Sequence, residues 1–535
     1  MMKKITALAL ACVMSIGLLA GCGGGNNAAP STDPADGAAK GKTLTVSLAA
    51  SPAKLDPIHY SGAYEGQIIQ QVCDRLVEYN DDMSKFVPSL ATSWTASEDG
   101  MTYVFQIRQG VHFQNTKYAQ GREMTAEDVA YSLNRSAQFS DNNRLSMLDK
   151  AEVTGEWEVT CTLKSANASF LTALTDTGNS VVAKEEVEGW GDSFGYNLSG
   201  TGAFYLEKFE LDEQAIMAAN TEYWLGKPAL EKLVFKFITD PNQAANALQT
   251  GAIDIATQLS GEAINTVQNA GNGIDLIEAE ALKINYIRFN SQKGPTADVR
   301  VRQALAEAVD FDAVRAALYQ YDEVKAGYLP LPYGSWGYDA SLESLAPKYD
   351  VEHAKQLLAD AGYENGFNLT INVSNTEERK TLATMLQGYW MQIGVNAQVA
   401  VNEWGTFSDT VCSGNSDVYA MSWGWYPDPY FFLNKLFSSE ETTAIGNGAG
   451  YVNDYVDEML SKAFVVTDIE ERAEYYAKAT EQIMKDYSGV YYANPYEMYG
   501  INSRVVDFTP RADSMLTFVV SEDGETISRN TSVAD

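Results

Sequence analysis

Alternation and helical spacing divide this chain into blocks. Residues 101–108 alternate strictly, with Tyr103, Phe105 and Ile107 on one face, which predicts a half-buried strand. A hairpin-type turn at 93–100 precedes it, and a second turn at Gln109-Gly110 leads into Val111-His112-Phe113. Thr125-Ala126-Glu127-Asp128 is a capping pattern that opens a helix over 129–135, completing a compact α+β unit that ends near Thr175. Upstream, 44–48 form a β-rich run, Leu55-Asp56-Pro57 turns the chain, and 67–77 have helical spacing. Between these, His59-Tyr60-Ser61-Gly62-Ala63-Tyr64 reads as a small-residue loop with two rings, either a plain connection or a ligand wall. Downstream, Leu233, Phe235 and Phe237 alternate along a strand, 241–251 read as a helix ending on its glycine, and 252–255 as a short strand.

A third block follows residues 286–290. Asp298 caps a helix over 299–309, with Val301, Leu305 and Ala308 at core spacing. Asp350 caps another over 351–361, with Ala354, Leu357 and Leu358 inward and Gly362 as its stop. Strand 369–373, helix 381–393 and strand 398–401 then predict an α/β lobe. Past a further strand at 417–422 comes a ring-rich stretch, Met421-Ser422-Trp423-Gly424-Trp425-Tyr426-Pro427-Asp428-Pro429-Tyr430-Phe431-Phe432. Its prolines break ladders and helices, so a shaped loop is expected after Trp425. The rings serve either as a plug for the core or as a ligand platform oriented by Asp428, and a loop beyond a strand end of an open α/β sheet favours the platform.

Length and charge narrow the classes. A chain of 535 residues, 45% of them hydrophobic, needs more than one core, so two or three lobes are expected. The head Met1-Met2-Lys3-Lys4, an apolar run over 5–19 and Leu19-Ala20-Gly21-Cys22 make residues 1–21 a secretory signal peptide. Residues 22–42, rich in Gly, Asn, Ala, Pro and Ser, read as a flexible tether. Removing 1–21, which hold Lys3 and Lys4 and no acid, takes the net charge from −33 to −35, so nucleic acid is excluded as a partner. Of five cysteines, Cys73, Cys161 and Cys412 are widely spaced singletons, without a CxxC pattern or a disulfide framework, and alternation puts Cys161 on a buried face. The three histidines, His59, His112 and His353, are isolated, and neither HExxH nor GxSxG occurs. Hence no metal, no cofactor and no enzymatic activity are expected. Ser199-Gly200-Thr201-Gly202 lacks the third glycine of a nucleotide loop and reads as a turn between lobes.

Several segments then occur in a telling order. These are residues 93–135, Gly200-Thr201-Gly202 with 219–224, Ala247-Leu248-Gln249-Thr250-Gly251-Ala252-Ile253-Asp254, Asp298-Val299-Arg300-Val301-Arg302-Gln303-Ala304-Leu305 and 354–363. Together they resemble the extracellular solute-binding proteins, family 5, of bacterial ABC importers, the dipeptide-, oligopeptide- and nickel-binding group. Leu-Ala-Gly-Cys is similar to the bacterial lipobox, which implies that Cys22 is lipidated. The resemblance implies an α/β clamshell of the periplasmic-binding-protein type (class II), two lobes plus an inserted domain, three domains in all. Its expected divisions are 43–75, 196–286 and 496–535 for domain I, 76–195 for the inserted domain II, and 287–495 for domain III.

It further implies a monomer, lipid-anchored at the outer face of the cytoplasmic membrane, that captures an oligopeptide or similar solute by hinge closure and hands it to permease and ATPase subunits. Ligand contacts are expected from Ser61, Gly62, Ala63 and Tyr64, from Phe139 and Asn143, and from Trp423, Trp425, Tyr426 and Asp428. Trp425 stands where peptide-binding members carry an aspartate for the α-amine, and Asp428 matches a different family position. The alternatives are the same fold binding an oligosaccharide, a secreted hydrolase using an Asp/Glu pair, and a peptide-sensing receptor.

Overall fold

The computed structural model describes residues 42–60, 63–81, 83, 85–141, 144–271, 273–424, 426–442, 446–466, 468–518 and 531–534, with the backbone alone at 404. The chain divides into Met1–Lys40 and Gly41–Asp535, and every described residue belongs to the second unit.

The strand Thr43–Leu48 pairs in parallel with Lys232–Phe237 along its whole length and meets Ile255 at Val46. Lys232–Phe237 pairs antiparallel with Gln214–Ala219, which pairs with Phe204–Glu210. Ile255–Ala256 joins Gly489–Asn502, so segments from the start, middle and end of the chain share one sheet. Leu44, Val46, Phe204, Phe235 and Tyr499 fill the apolar core on that sheet. A separate antiparallel sheet holds Ala91–Ala96, Thr102–Ile107, Glu158–Leu163 and Leu148–Gly155. The helix Ala126–Phe139 packs on it, and at the helix start Asp128 accepts the Thr125 backbone N–H at 2.9 Å. Tyr103, Phe105, Ile107 and Cys161 are buried there, as alternation predicts.

In the later part of the chain, Phe367–Ser374 pairs in parallel with Val395–Asn402 and Val418–Gly424, and Val418–Gly424 lies antiparallel to Lys283–Phe289. The helices Val299–Glu307, Val351–Asp360 and Glu377–Met391 share its core, the first two capped by Asp298 and Asp350 as expected. Gly489–Asn502 links the two regions. Its beginning pairs with Lys283–Phe289 and its end with Ile274–Glu280. The chain thus passes twice between these two regions, the halves of the molecule: at Ala281-Leu282, between the strands Ile274–Glu280 and Lys283–Phe289, and at Asn494-Pro495-Tyr496, inside the strand Gly489–Asn502.

Three local expectations are corrected. The helix predicted over 67–77 is Ala63–Val72, so Ala63 and Tyr64 occupy its first turn instead of a loop, and Val77 starts a strand. Ser93-Trp94-Thr95, expected in a turn, continue the strand Ala91–Ala96, because Trp94, Thr95 and Ala96 pair with Phe105, Val104 and Tyr103. The loop after Trp425 is short, since the helix Tyr430–Phe437 begins directly after Pro429. A proline at a helix entry sacrifices no hydrogen bond, so the residue that signalled a loop opens a helix. The glycine turn at 199–202 packs on the end of Ala63–Val72, where a Cβ on Gly202 would lie 2.5 Å from the Val72 carbonyl carbon. Close packing explains that glycine without any phosphate.

Candidate functional site

A cleft of about 560 Å³ opens between the halves. Residues from five parts of the fold wall it. Tyr60, Ala63, Gly66, Gln70 and Arg75 come from the first helix and its flanks, and Arg144, Thr175, Asp176 and Thr177 from the inserted α+β unit. Gln258, Ala281, Leu282, Lys283 and Glu497 lie at or near the strand crossings. Ser422, Gly424 and Tyr426 come from the α/β region, and residues 511–515 from the C-terminal segment.

Asp176 is the cleft's most connected acid. Its carboxylate accepts from the Tyr60 hydroxyl at 2.6 Å, from Arg144 Nη1 at 2.7 Å, from the Gly178 N–H at 2.7 Å and from the Tyr426 hydroxyl. The Arg144 guanidinium also lies 3.7 Å over the Tyr60 ring. Burial, reinforced by the charge of Asp176, pushes the Tyr60 and Tyr426 hydroxyls far above the ordinary tyrosine range, so both are permanent donors. The contact from Tyr426 crosses from the α/β region to the inserted unit.

The remaining charges are also mostly paired. Arg511 donates to Asp513, with both side chains buried, and Arg75 pairs with Glu78 at 2.5 Å. Burial raises the Glu497 carboxyl, while the charge of Lys283 and the Ser514 hydroxyl act in the opposite direction. Four cations (Arg75, Arg144, Lys283, Arg511) face three acids (Asp176, Glu497, Asp513) around the cleft. In a chain of net charge −33 this is a local reversal, and it suits a neutral, zwitterionic or mildly anionic guest.

The structure brings Ala63 and Tyr426 to the cleft. Tyr64 stands beside it, its hydroxyl on Gln258 Oε1 at 2.9 Å, lining a small annex that shares Ala63, Gln258, Glu497 and Ser514 with the main space. Trp423 packs the other way. Its Nε1 donates to the Phe431 carbonyl at 2.7 Å, and along the same strand Ser422 and Gly424 face the cleft. Phe139 is 55% exposed at a helix end and takes no part in the cleft. Ser61, Gly62, Asn143 and Trp425 lie outside the described residues, as do Cys22 and the signal peptide.

Asp428 is corrected more sharply. It is 1% exposed and absent from the cleft wall. Its carboxylate accepts from Arg472 Nη2 at 3.0 and 3.1 Å, Ser169 Oγ at 3.1 Å, Thr172 Oγ1 at 3.4 Å and the Tyr430 N–H at 3.0 Å. A buried carboxylate needs a counter-charge and a full set of donors, and here the protein supplies both. It clasps the α/β region to the inserted unit.

Sequence reasoning passed over Arg75, Arg144, Asp176, Lys283 and Glu497. One signal was present. Asp74-Arg75 interrupts the short apolar run from Val72 to Val77, and Asp74 proves to accept from Thr201, Tyr223 and Trp224 at 2.8–2.9 Å. Among the described residues, no group of three or more His, Cys, Asp and Glu could hold a metal ion, and no helix is long and apolar enough to cross a membrane. Cys73, Cys161 and Cys412 are free thiols.

Comparison with known proteins gives concordant matches. The model of the bacterial extracellular solute-binding proteins, family 5 (middle), matches residues 85–444. Heme-binding protein A of Haemophilus influenzae is 30% identical over 510 residues, covering 89% of this chain and 91% of that protein. The dipeptide-binding protein of Escherichia coli is 29% identical over 473 residues, covering 83% and 88%. The ABC transporter-associated periplasmic binding protein DppA from Helicobacter pylori, solved with the peptide STSA, aligns at a TM-score of 0.76 and 27% identity, covering 92% of this chain and 98% of that one.

Proposed function

Since the chain belongs to family 5 of the bacterial extracellular solute-binding proteins and shares their clamshell fold, we propose that it captures a short peptide between its lobes for delivery to an ABC permease and its ATPase. The observation that carries the reading is the cleft of about 560 Å³, walled by both halves of the chain and edged by charges of both signs. Peptides have a charge at each end and a polar backbone between, which such a wall can pair. The E. coli relative is a dipeptide-binding protein and the H. pylori structure contains a peptide, which supports the same class. No bond is made or broken in this reading.

Ligand enters an open form, and closure follows because the closed form contacts it on both sides. The Tyr426–Asp176 hydrogen bond and the Asp428 clasp both join the α/β region to the inserted unit, and both favour the closed form. We divide the folded part into three domains at the boundaries expected from the sequence. The chain works as a monomer tethered through lipid on Cys22.

A thermal-shift screen on protein lacking residues 1–22 tests the ligand class. Short peptides are expected to raise the melting temperature, by about 2–3 kcal/mol of added stability at a hundredfold excess over Kd. Oligosaccharides and hemin belong in the same screen, the latter because the H. influenzae relative is a heme-binding protein. A shift from sugars or hemin alone would sink the peptide reading.

A further inference from the structure

The cleft's ion pairs leave a remainder. Arg144 is taken up by Asp176, Arg511 by Asp513 and Arg75 by Glu78. Lys283 and Glu497 line the same space, yet neither forms an ion pair with the other or with any described residue, and Lys283 reaches Glu497 only through its field. Glu497 has Ser514 as its polar neighbour and is also faced by Tyr64 and Tyr499. Both charges are half-buried, Lys283 opening Lys283–Phe289 directly after the crossing at Ala281-Leu282, and Glu497 within Gly489–Asn502, the strand that runs between the halves of the molecule.

Holding a cation and an anion half out of water without joining them is unfavourable for folding. Every other charge on the wall has found its partner within the protein. Two opposite charges left apart around one cavity are complementary to a guest that carries both signs at once. We propose that Glu497 receives the ammonium end and Lys283 the carboxylate end of a zwitterionic ligand. Resting on the peptide reading above, these ends are the free N- and C-termini of a short peptide. The ligand then completes two charge pairs at the strand crossings, next to where the halves must move.

Tripeptide libraries in three forms (free-ended, N-acetylated and C-amidated), together with free amino acids, test this by calorimetry on protein lacking residues 1–22. Capping either end is expected to weaken binding about tenfold or more, the loss of one charge-assisted contact. Glu497→Gln should abolish the penalty for N-acetylation alone, and Lys283→Met the penalty for amidation alone. Peptides that bind equally well with and without caps would overturn this inference and leave the peptide reading standing. If amino acids bind in a Lys283- and Glu497-dependent way and no peptide does, the charge assignment stands and the peptide reading falls. Binding by none of these probes overturns both. The capped series on the unaltered protein decides between these outcomes even if a variant fails to fold.

Discussion

Glu497 is a carboxylate held where burial works against its charge. Its folded-state pKa lies above the unfolded value, so its contribution to stability is full below the unfolded pKa and is lost as pH rises through the folded one. At neutral pH Glu497 therefore weakens the ligand-free fold. Glu497→Gln cannot ionise, and it should melt above the parent at pH 7, with the difference closing as pH falls toward about 4. Melting curves at both pH values check this. A variant that melts below the parent at pH 7 would mean that Glu497 serves the fold. Gain of stability with loss of ligand discrimination is the signature of a residue kept for binding.

Among elements, those with a strong period were legible and those set by long-range pairing were not. Tyr103, Phe105, Ile107 and Cys161 were placed by alternation alone, and Asp298 and Asp350 cap the helices expected of them. The ring-rich stretch shows the limit. Plug and platform are the alternatives for its rings, but period two along Val418–Gly424 sends Ser422 and Gly424 to the cleft and Trp423 into the neighbouring apolar cluster. Local sequence offers Asp428 as a charge to orient a ligand because its partner, Arg472, is 44 residues away, and Ser169 is more distant still. No local pattern announces such a pair. The clasp makes its own prediction. Arg472 and Asp428 have side-chain exposures of 5% and 1%, so Arg472→Met leaves a buried carboxylate without its counter-charge. The expected loss is on the order of 3–5 kcal/mol. Ser169→Ala removes one donor and should cost about 1 kcal/mol. Urea unfolding followed by tryptophan fluorescence ranks them, and equal midpoints would show that the cation is dispensable to the clasp.

For the whole molecule, charge and anchorage bear on each other. After removal of residues 1–21 the chain would carry −35, since the excised piece holds Lys3 and Lys4 and no acid. A globule so acidic is repelled by the anionic lipids that draw basic proteins to a bilayer. Among its described residues, no helix can span a membrane. Under the proposed lipid tether, attachment rests on Cys22. Cys22→Ser should release the protein from the membrane fraction nearly completely, at any salt concentration, because screening has no attraction to remove. The parent should stay bound through a carbonate wash. Fractionation with an antibody against the folded part reads both. A Cys22→Ser protein that still sediments with washed membranes would show a second means of attachment and would end the lipid-tether reading.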